Sequence, residues 1–287
     1  MLDGLGQKKV IPYSRGTDER AIRNMLDVPE KPVSYKPKFQ KPEKEIAVLV
    51  TGGLDSSALY YMAEKQHENV KAFYVDIGQP YRDKELDALR KMGIKFKLIS
   101  SGLNINPSKF WKHIIPGRNL YFLTLVAEQL EFGGEIWFGA TDGEMPLLGG
   151  DKSVSFINYC DTLFARLPFK VALKVPLSEM TKTDIVAWFK ENNLVDKLDL
   201  TISCFDEDGG HCGKCQACLR KALAYTANGL TLQTNTDVRV GCKEYLDKYL
   251  TLFPKALAKK DFSHYSNRRM IQDLEAIKLL TGVDNST

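Results

Sequence analysis

The chain has 287 residues, 44% of them hydrophobic and 26% charged, and a formal net charge of +4. That balance fits a soluble enzyme with one sizeable core and a small appendage. No apolar run approaches the roughly 18–20 residues of a membrane span, and the start, Met1-Leu2-Asp3-Gly4, lacks a signal-peptide pattern, so a reducing cytoplasm is the expected location.

The charge is unevenly spread. Residues 1–44 carry 10 Lys/Arg against 6 acids, which accounts for the whole excess, because the remainder balances at 30 against 30. The same stretch holds Pro12, Pro29, Pro32, Pro37 and Pro42, and it reads as an extended basic arm rather than a domain. A basic arm can wrap the surface, stay solvated, or meet a macromolecular partner such as nucleic acid. From residue 46 onward strands alternate with helices: Ile46–Val50 is a strand, Asp55–Gln66 a helix, Val70–Ile77 a strand, Tyr81–Met92 a helix, and Lys95–Ser100 a strand. Tyr121–Glu131 then reads as a buried helix and Glu135–Gly139 as a fourth strand. The pattern predicts an α/β fold, a parallel sheet with helices on both faces, whose ligands sit at the carboxyl ends of the strands. Three domains are expected: the arm over 1–44, the α/β domain over 45–200, and a cysteine-containing helical region over 201–287.

The first strand runs directly into Thr51-Gly52-Gly53-Leu54-Asp55-Ser56-Ser57. Two glycines between a strand and a helix let backbone N–H groups approach an anion closely, the helix dipole adds positive potential, and Thr51, Ser56 and Ser57 supply hydroxyls. Asp55 can cap the helix or help hold Mg²⁺. The alternative is an ordinary strand-turn-helix junction. The motif resembles the pyrophosphate loop of N-type ATP pyrophosphatases, usually Ser-Gly-Gly-x-Asp-Ser, with Thr51 keeping the hydroxyl of the first serine. No Gly-Lys-Ser/Thr follows, so it is not a Walker loop. Further motifs fall at predicted strand ends: Asp76-Ile77-Gly78-Gln79 with Arg82, Pro116-Gly117-Arg118-Asn119, and Gly139-Ala140-Thr141-Asp142.

Cys204, Cys212, Cys215 and Cys218 form a second signal. Two overlapping Cys-x-x-Cys steps plus one upstream thiol can close a tetrahedron about a structural Zn²⁺ with no open position. An iron–sulfur cluster is the rival, and disulfides are disfavoured in a reducing compartment. Cys160 and Cys242 read as packed core thiols, and His211 as a surface or supporting residue beside the cluster.

Taken together, the motifs resemble the 7-cyano-7-deazaguanine synthases over about residues 46–225. The resemblance rests on the loop at 51–56, Asp76 to Gln79 with Arg82, Pro116 to Asn119 with Phe122 to Leu125, Pro176-Leu177 with Lys182, and the cysteines ending in Cys218-Leu219-Arg220. It implies an enzyme that uses ATP and ammonia to turn the carboxylate of 7-carboxy-7-deazaguanine into a nitrile through an acyl-adenylate and an amide. Catalytic roles fall on Asp55, Arg118 and Lys182. Nucleotide contacts fall on Thr51 to Ser57, Asp76, Gln79 and Arg82. Contacts to the deazaguanine fall on Arg118, Asn119, Asp142 and Asp151, metal ligation falls on the four cysteines, and a homodimer is expected. The chain departs from the family after Asp142: an aromatic run that frames the deazaguanine is replaced by Gly143-Glu144-Met145-Pro146-Leu147-Leu148-Gly149-Gly150-Asp151. A changed pocket would stop at the amide or pass the acyl group to a macromolecule. A tRNA thiolase, an amide ligase of the NAD-synthetase type and a catalytically silent relative are the other readings. The apolar spacing of Tyr245, Leu246, Tyr249, Leu250 and Leu252 predicts helices within 238–280 that pack on the core or on a second copy.

Overall fold

Strand β1, Glu45–Leu49, starts a sheet at its centre because every residue after Glu45 is apolar and buried on both faces. The computed structural model describes residues 45–103, 115–144, 150–166, 170–204, 206 and 210–282, so the basic arm over 1–44 and the loop positions 145–149 lie outside the described residues. The order continues with α1 Leu54–Gln66, β2 Val70–Asp76, α2 Arg82–Lys91, β3 Phe96–Ser100, α3 Arg118–Ala127, β4 Gly134–Trp137, α4 Val154–Phe164, β5 Val171–Lys174, α5 Lys182–Glu191 and α6 Val195–Asp199. Helices α7 Gln216–Ala227, α8 Val238–Gly241, α9 Lys243–Lys259 and α10 Asn267–Thr281 complete it.

All strand pairs are parallel, and the sheet order is β3-β2-β1-β4-β5. Alternation along β1 sends Ile46 and Val48 to one core with Leu59, Leu89 and Phe189, and Ala47 and Leu49 to a second core with Leu123, Val126 and Phe164. Helices α1, α2 and α5 therefore cover one face, and α3 and α4 the other. The winding reverses between β1 and β4, which opens a crevice beyond their carboxyl ends. Leu219, Leu223, Leu246, Tyr249, Phe253, Met270 and Ile277 form a third cluster, which joins α7 to the C-terminal helices expected within 238–280. No helix among the described residues is long and apolar enough to cross a membrane.

One boundary differs from expectation in a way that affects the site, and three elements were not expected. Gly117, at φ 71°, turns the chain so that α3 begins at Arg118, three residues before the expected Tyr121, and Arg118 and Asn119 enter its first turn. Strand β5 and helices α4 and α5 were not anticipated; β5 is four residues long, too short for a periodic signal.

Candidate active site

The chain leaving β1 turns through Gly52 at φ 71°, where an added Cβ would stand 2.9 Å from the Glu85 carbonyl oxygen. Glycine is required there both for the left-handed conformation and for the close approach. Gly53 is the N-cap of α1 and offers no side-chain partner, so the first-turn amides keep their donors for an anion. Asp55 is therefore not the helix cap that the sequence allowed. It lies in the first turn and accepts two hydrogen bonds from Lys182 Nζ, at 2.6 and 2.7 Å. Thr51 and Ser56 brace the loop: Ser56 Oγ accepts from the Thr51 amide at 3.1 Å, lies 3.2 Å from Thr51 Oγ1, and donates to the Gly53 carbonyl at 3.3 Å.

Lys182 is the first residue of α5, whose start is fixed by a capping box between Thr181 and Asp184. Burial pulls the Lys182 ammonium below its ordinary value, and the Asp55 carboxylate only partly offsets this. Around this pair lies a wider charge cluster, with Glu144 bound to Lys152 at 2.9 Å and facing Arg220 at 3.6 Å. Burial pushes the Glu144 carboxyl up, but Lys152, Arg220 and Lys182 outweigh it and hold the group below the usual carboxylate range. A small polar pocket is bounded by Thr141, Lys182, Arg220 and Arg269.

Unpaired polar atoms concentrate at this edge of the sheet. Ser57 Oγ, Thr141 Oγ1 and Arg118 Nε are buried without a hydrogen-bond partner among the described residues. Each such group carries a desolvation cost of about 1–3 kcal/mol, which a ligand accepting or donating there would remove. Arg118 otherwise stacks on the Phe122 ring, 5.9 Å from its centroid.

Asn119 Nδ2 donates to the Asp151 carbonyl at 3.2 Å, which brings two expected substrate contacts together. Asp142 is half-buried, and its amide donates to the Met180 carbonyl at 3.0 Å. Arg82 bridges two carboxylates, Asp76 through Nε at 2.6 Å and Asp83 through Nη1 at 2.7 Å, and Asp76 also accepts from the Gly78 amide at 2.8 Å. Gln79 is buried, with its side chain committed to Ile77, Tyr74 and Glu85.

Glu85 has a consequence for stability. Burial raises its carboxyl to about 7, against the opposing bonds from Tyr74 and Gln79 and the nearby Arg118 charge. A carboxyl raised in the folded protein stays protonated while the unfolded chain ionises, so its contribution is full below pH 4.5 and falls until pH 7. Glu85→Gln is therefore expected to raise the melting free energy by on the order of 1 kcal/mol at pH 8 and to leave it nearly unchanged at pH 4. Paired melts at the two pH values check this, and equal shifts at both would contradict it.

The four cysteine sulfurs lie within 4.8 Å of one another, with Cys212 and Cys218 at 3.9 Å and Cys204 and Cys215 at 4.0 Å. A tetrahedral ion with metal–sulfur bonds of ~2.3 Å needs sulfur–sulfur edges of ~3.8 Å, so the donor set fits one metal ion. Backbone amides of Asp206, Cys212, Lys214 and Cys218 point at the sulfurs at 3.3–3.5 Å, as thiolate charge requires. His211 is buried rather than at the surface, and its Nε2 lies 3.2 Å from Lys221 Nζ, which also donates to Thr201. Cys160 and Cys242 are buried in two of the apolar cores. This knuckle is tied to the loop: the Ile202 amide, two positions before Cys204, donates to the Gly52 carbonyl at 2.8 Å, and Lys84 binds the carbonyls of Asp206 and Gly210.

Glu144, Lys152 and Arg269 were not foreseen as site residues, and Arg220 was noted only as the residue closing the cysteine motif. Arg220 and Arg269 reach Glu144 and Gly143 from far along the chain, and the eight-residue spacing of Glu144 and Lys152 matches no helix or strand period.

The family model for queuosine biosynthesis protein QueC matches residues 97–229, and that for asparagine synthase matches residues 41–117. A 7-cyano-7-deazaguanine synthase of Persephonella marina is 27% identical over 221 residues, covering 66% of this chain and 96% of that protein. One from Pseudomonas syringae pv. syringae is 29% identical over 231 residues, covering 66% and 95%. Among solved structures, the U34-tRNA thiolase NcsA from Methanococcus maripaludis with its [4Fe-4S] cluster overlaps 93% of this chain and 80% of that one, at 16% identity and a TM-score of 0.39.

Proposed function

We propose that this chain, which belongs with the 7-cyano-7-deazaguanine synthases in the N-type ATP pyrophosphatase superfamily, is an ATP-dependent ligase that converts 7-carboxy-7-deazaguanine and ammonia to the 7-cyano base. The observation that carries the reading is the loop at the switch point of the sheet, with open first-turn amides, braced hydroxyls and Lys182 held beside it by Asp55. A carboxylate is a poor acyl donor. Attack of its oxygen on the α-phosphorus of ATP breaks the bond to the β-phosphate, releases pyrophosphate and makes AMP the leaving group. Ammonia then attacks the acyl carbon, AMP departs, and the amide forms. Conversion of the amide to the nitrile removes its oxygen, which a second adenylation carries away as AMP.

In this scheme the residues supply positioning and charge stabilisation. Gly52 to Ser57 and Lys182 hold the departing pyrophosphate, Mg²⁺ accompanies the ATP, and the unpaired Arg118 Nε binds a carboxylate or phosphate oxygen. Asn119, Asp142 and Asp151 flank the base. The four cysteines hold a structural zinc ion. A homodimer and a cytoplasmic location complete the proposal, and the basic arm over 1–44 is the segment for a macromolecular partner.

The test is pyrophosphate release measured side by side with the 7-carboxy, 7-carboxamide and 7-cyano bases and with a tRNA pool, each with and without ammonia. The acid should stimulate release most, and Arg118→Ala should weaken that response by on the order of 10²-fold. Release driven by tRNA alone, with all three bases inert, would replace this reading by the thiolase one.

A further inference from the structure

The C-terminal helix α10 lies beyond residues 97–229, the span matched by the queuosine biosynthesis protein QueC model, yet it reaches the charge cluster around Lys182. Three of its side chains face two chain segments that wall the pocket. Arg268 donates to the Glu179 carbonyl at 3.0 Å and to Asp184 at 2.8 Å, and Gln272 donates to Asp184 at 3.0 Å, so α10 grips the capping box at whose end Lys182 stands. Arg269 reaches the other wall. Its Nη1 donates to the Gly143 carbonyl at 3.0 Å, directly before Glu144.

Arg269 is an unusual residue to bury. It is 6% exposed, and among the described residues its one ionic contact, Asp273, is 3.3 Å away. Its guanidinium also lies 4.7 Å from the Tyr265 ring centroid, with Nη2 3.4 Å from Tyr249 Oη. A buried cation held by a single carboxylate is a poor source of stability, since an apolar side chain of the same volume would serve the helix packing as well. What only a guanidinium supplies is a fixed fork that binds its own helix with one edge and the Gly143 carbonyl with another. A Cβ at position 143 would stand 2.6 Å from Arg269 Cδ, so a glycine lets the two meet. The residue so anchored, Glu144, holds Lys152 and faces Arg220, and with Lys182 these cations set the positive potential beside the loop.

We propose that Arg269 is a positioning residue for the anion site, holding Gly143 and Glu144 so that Glu144 keeps Lys152 and Arg220 aimed at bound pyrophosphate. Helix α10 is then part of the active site and not an appendage. The inference rests on the nucleotide reading given above.

The test is a double-mutant cycle in the binding of inorganic pyrophosphate, measured by calorimetry on the full-length chain. Arg269→Gln and Glu144→Gln should each weaken binding about 10-fold, and the double variant should bind no worse than the weaker single, because both break one linkage. Melting temperatures are recorded alongside. A purely structural role would lower them without coupling the two affinities. Arg269→Lys, which keeps the charge but cannot bridge Asp273 and Gly143 together, should show a partial loss and carries the cycle if Arg269→Gln does not fold. Wild-type protein that takes up no pyrophosphate overturns the nucleotide reading and this inference together. Wild-type binding with Arg269→Gln unaffected, or with additive losses, overturns this inference alone.

Discussion

Replacing Asp55 and Ser56 together by alanine is expected to abolish release of AMP and pyrophosphate while leaving a folded protein. The two substitutions act on different parts of one device. Ser56 Oγ bonds the Thr51 amide and the Gly53 carbonyl, so its loss slackens the turn that presents the first-turn amides. Asp55 holds Lys182 Nζ with both oxygens, and without it a half-buried ammonium already below its ordinary pKa has no carboxylate in contact among the described residues. The lysine then loses the contact that aims it at the loop. Removing one preorganised donor from a developing negative charge costs about 10²–10³ in rate, and here an ammonium and a hydrogen-bonded turn are lost together, so at least 10³-fold is expected. The fold should survive, because the buried apolar residues of α1, including Leu54, Ala58, Leu59 and Ala63, are untouched. Product analysis by chromatography and circular dichroism on the same sample check both halves. ADP and phosphate as the first nucleotide products of the wild type would contradict the nucleotide chemistry.

The central strand and its loop were legible in the sequence because their signals are local. An apolar run that stops at two glycines fixes both the strand end and the position of the nest, and β1 with its turn lies where the pattern put it. The four cysteines were legible for the same reason, since seven residues carry three of them. The parts that were not legible are made at long range. The partner of Asp55 is 127 residues away, and the Glu144 carboxylate is faced by Arg220, on α7. Arg269 looks in sequence like one more basic residue of an amphipathic helix, and only the burial of its guanidinium against Gly143 distinguishes it from its exposed neighbour Arg268. Arg82 and Asp76 each suggested ligand binding from their place after a strand, and their pairing with one another is a contact that the motif does not announce.

Purified protein is expected to carry one zinc ion per chain, and Cys215→Ser to lose it together with most of the stability of the surrounding region. The donor set is close and largely buried, with Cys204, Cys212 and Cys218 buried, Cys215 half-buried and all four sulfurs within 4.8 Å. Without an ion, four thiols and the amides aimed at them would be packed with neither charge nor metal to justify the arrangement. Structural zinc contributes apparent free energies of ~10–16 kcal/mol, as large as the whole stability of an ordinary domain at ~5–15 kcal/mol, so an incomplete shell cannot leave the knuckle folded. The effect should not stay local. Ile202 holds the Gly52 carbonyl, and Lys84, on α2, holds the carbonyls at 206 and 210, so loosening the knuckle removes the outer support of the nucleotide loop. Protein stripped with a chelator should therefore lose pyrophosphate binding as well as melting temperature, and regain both when zinc is restored. Elemental analysis, melting curves and calorimetry on the same preparation test the three statements. Visible iron–sulfur absorbance with no zinc would overturn the metal assignment, and stripped protein that binds pyrophosphate as tightly as before would overturn the link from the knuckle to the loop.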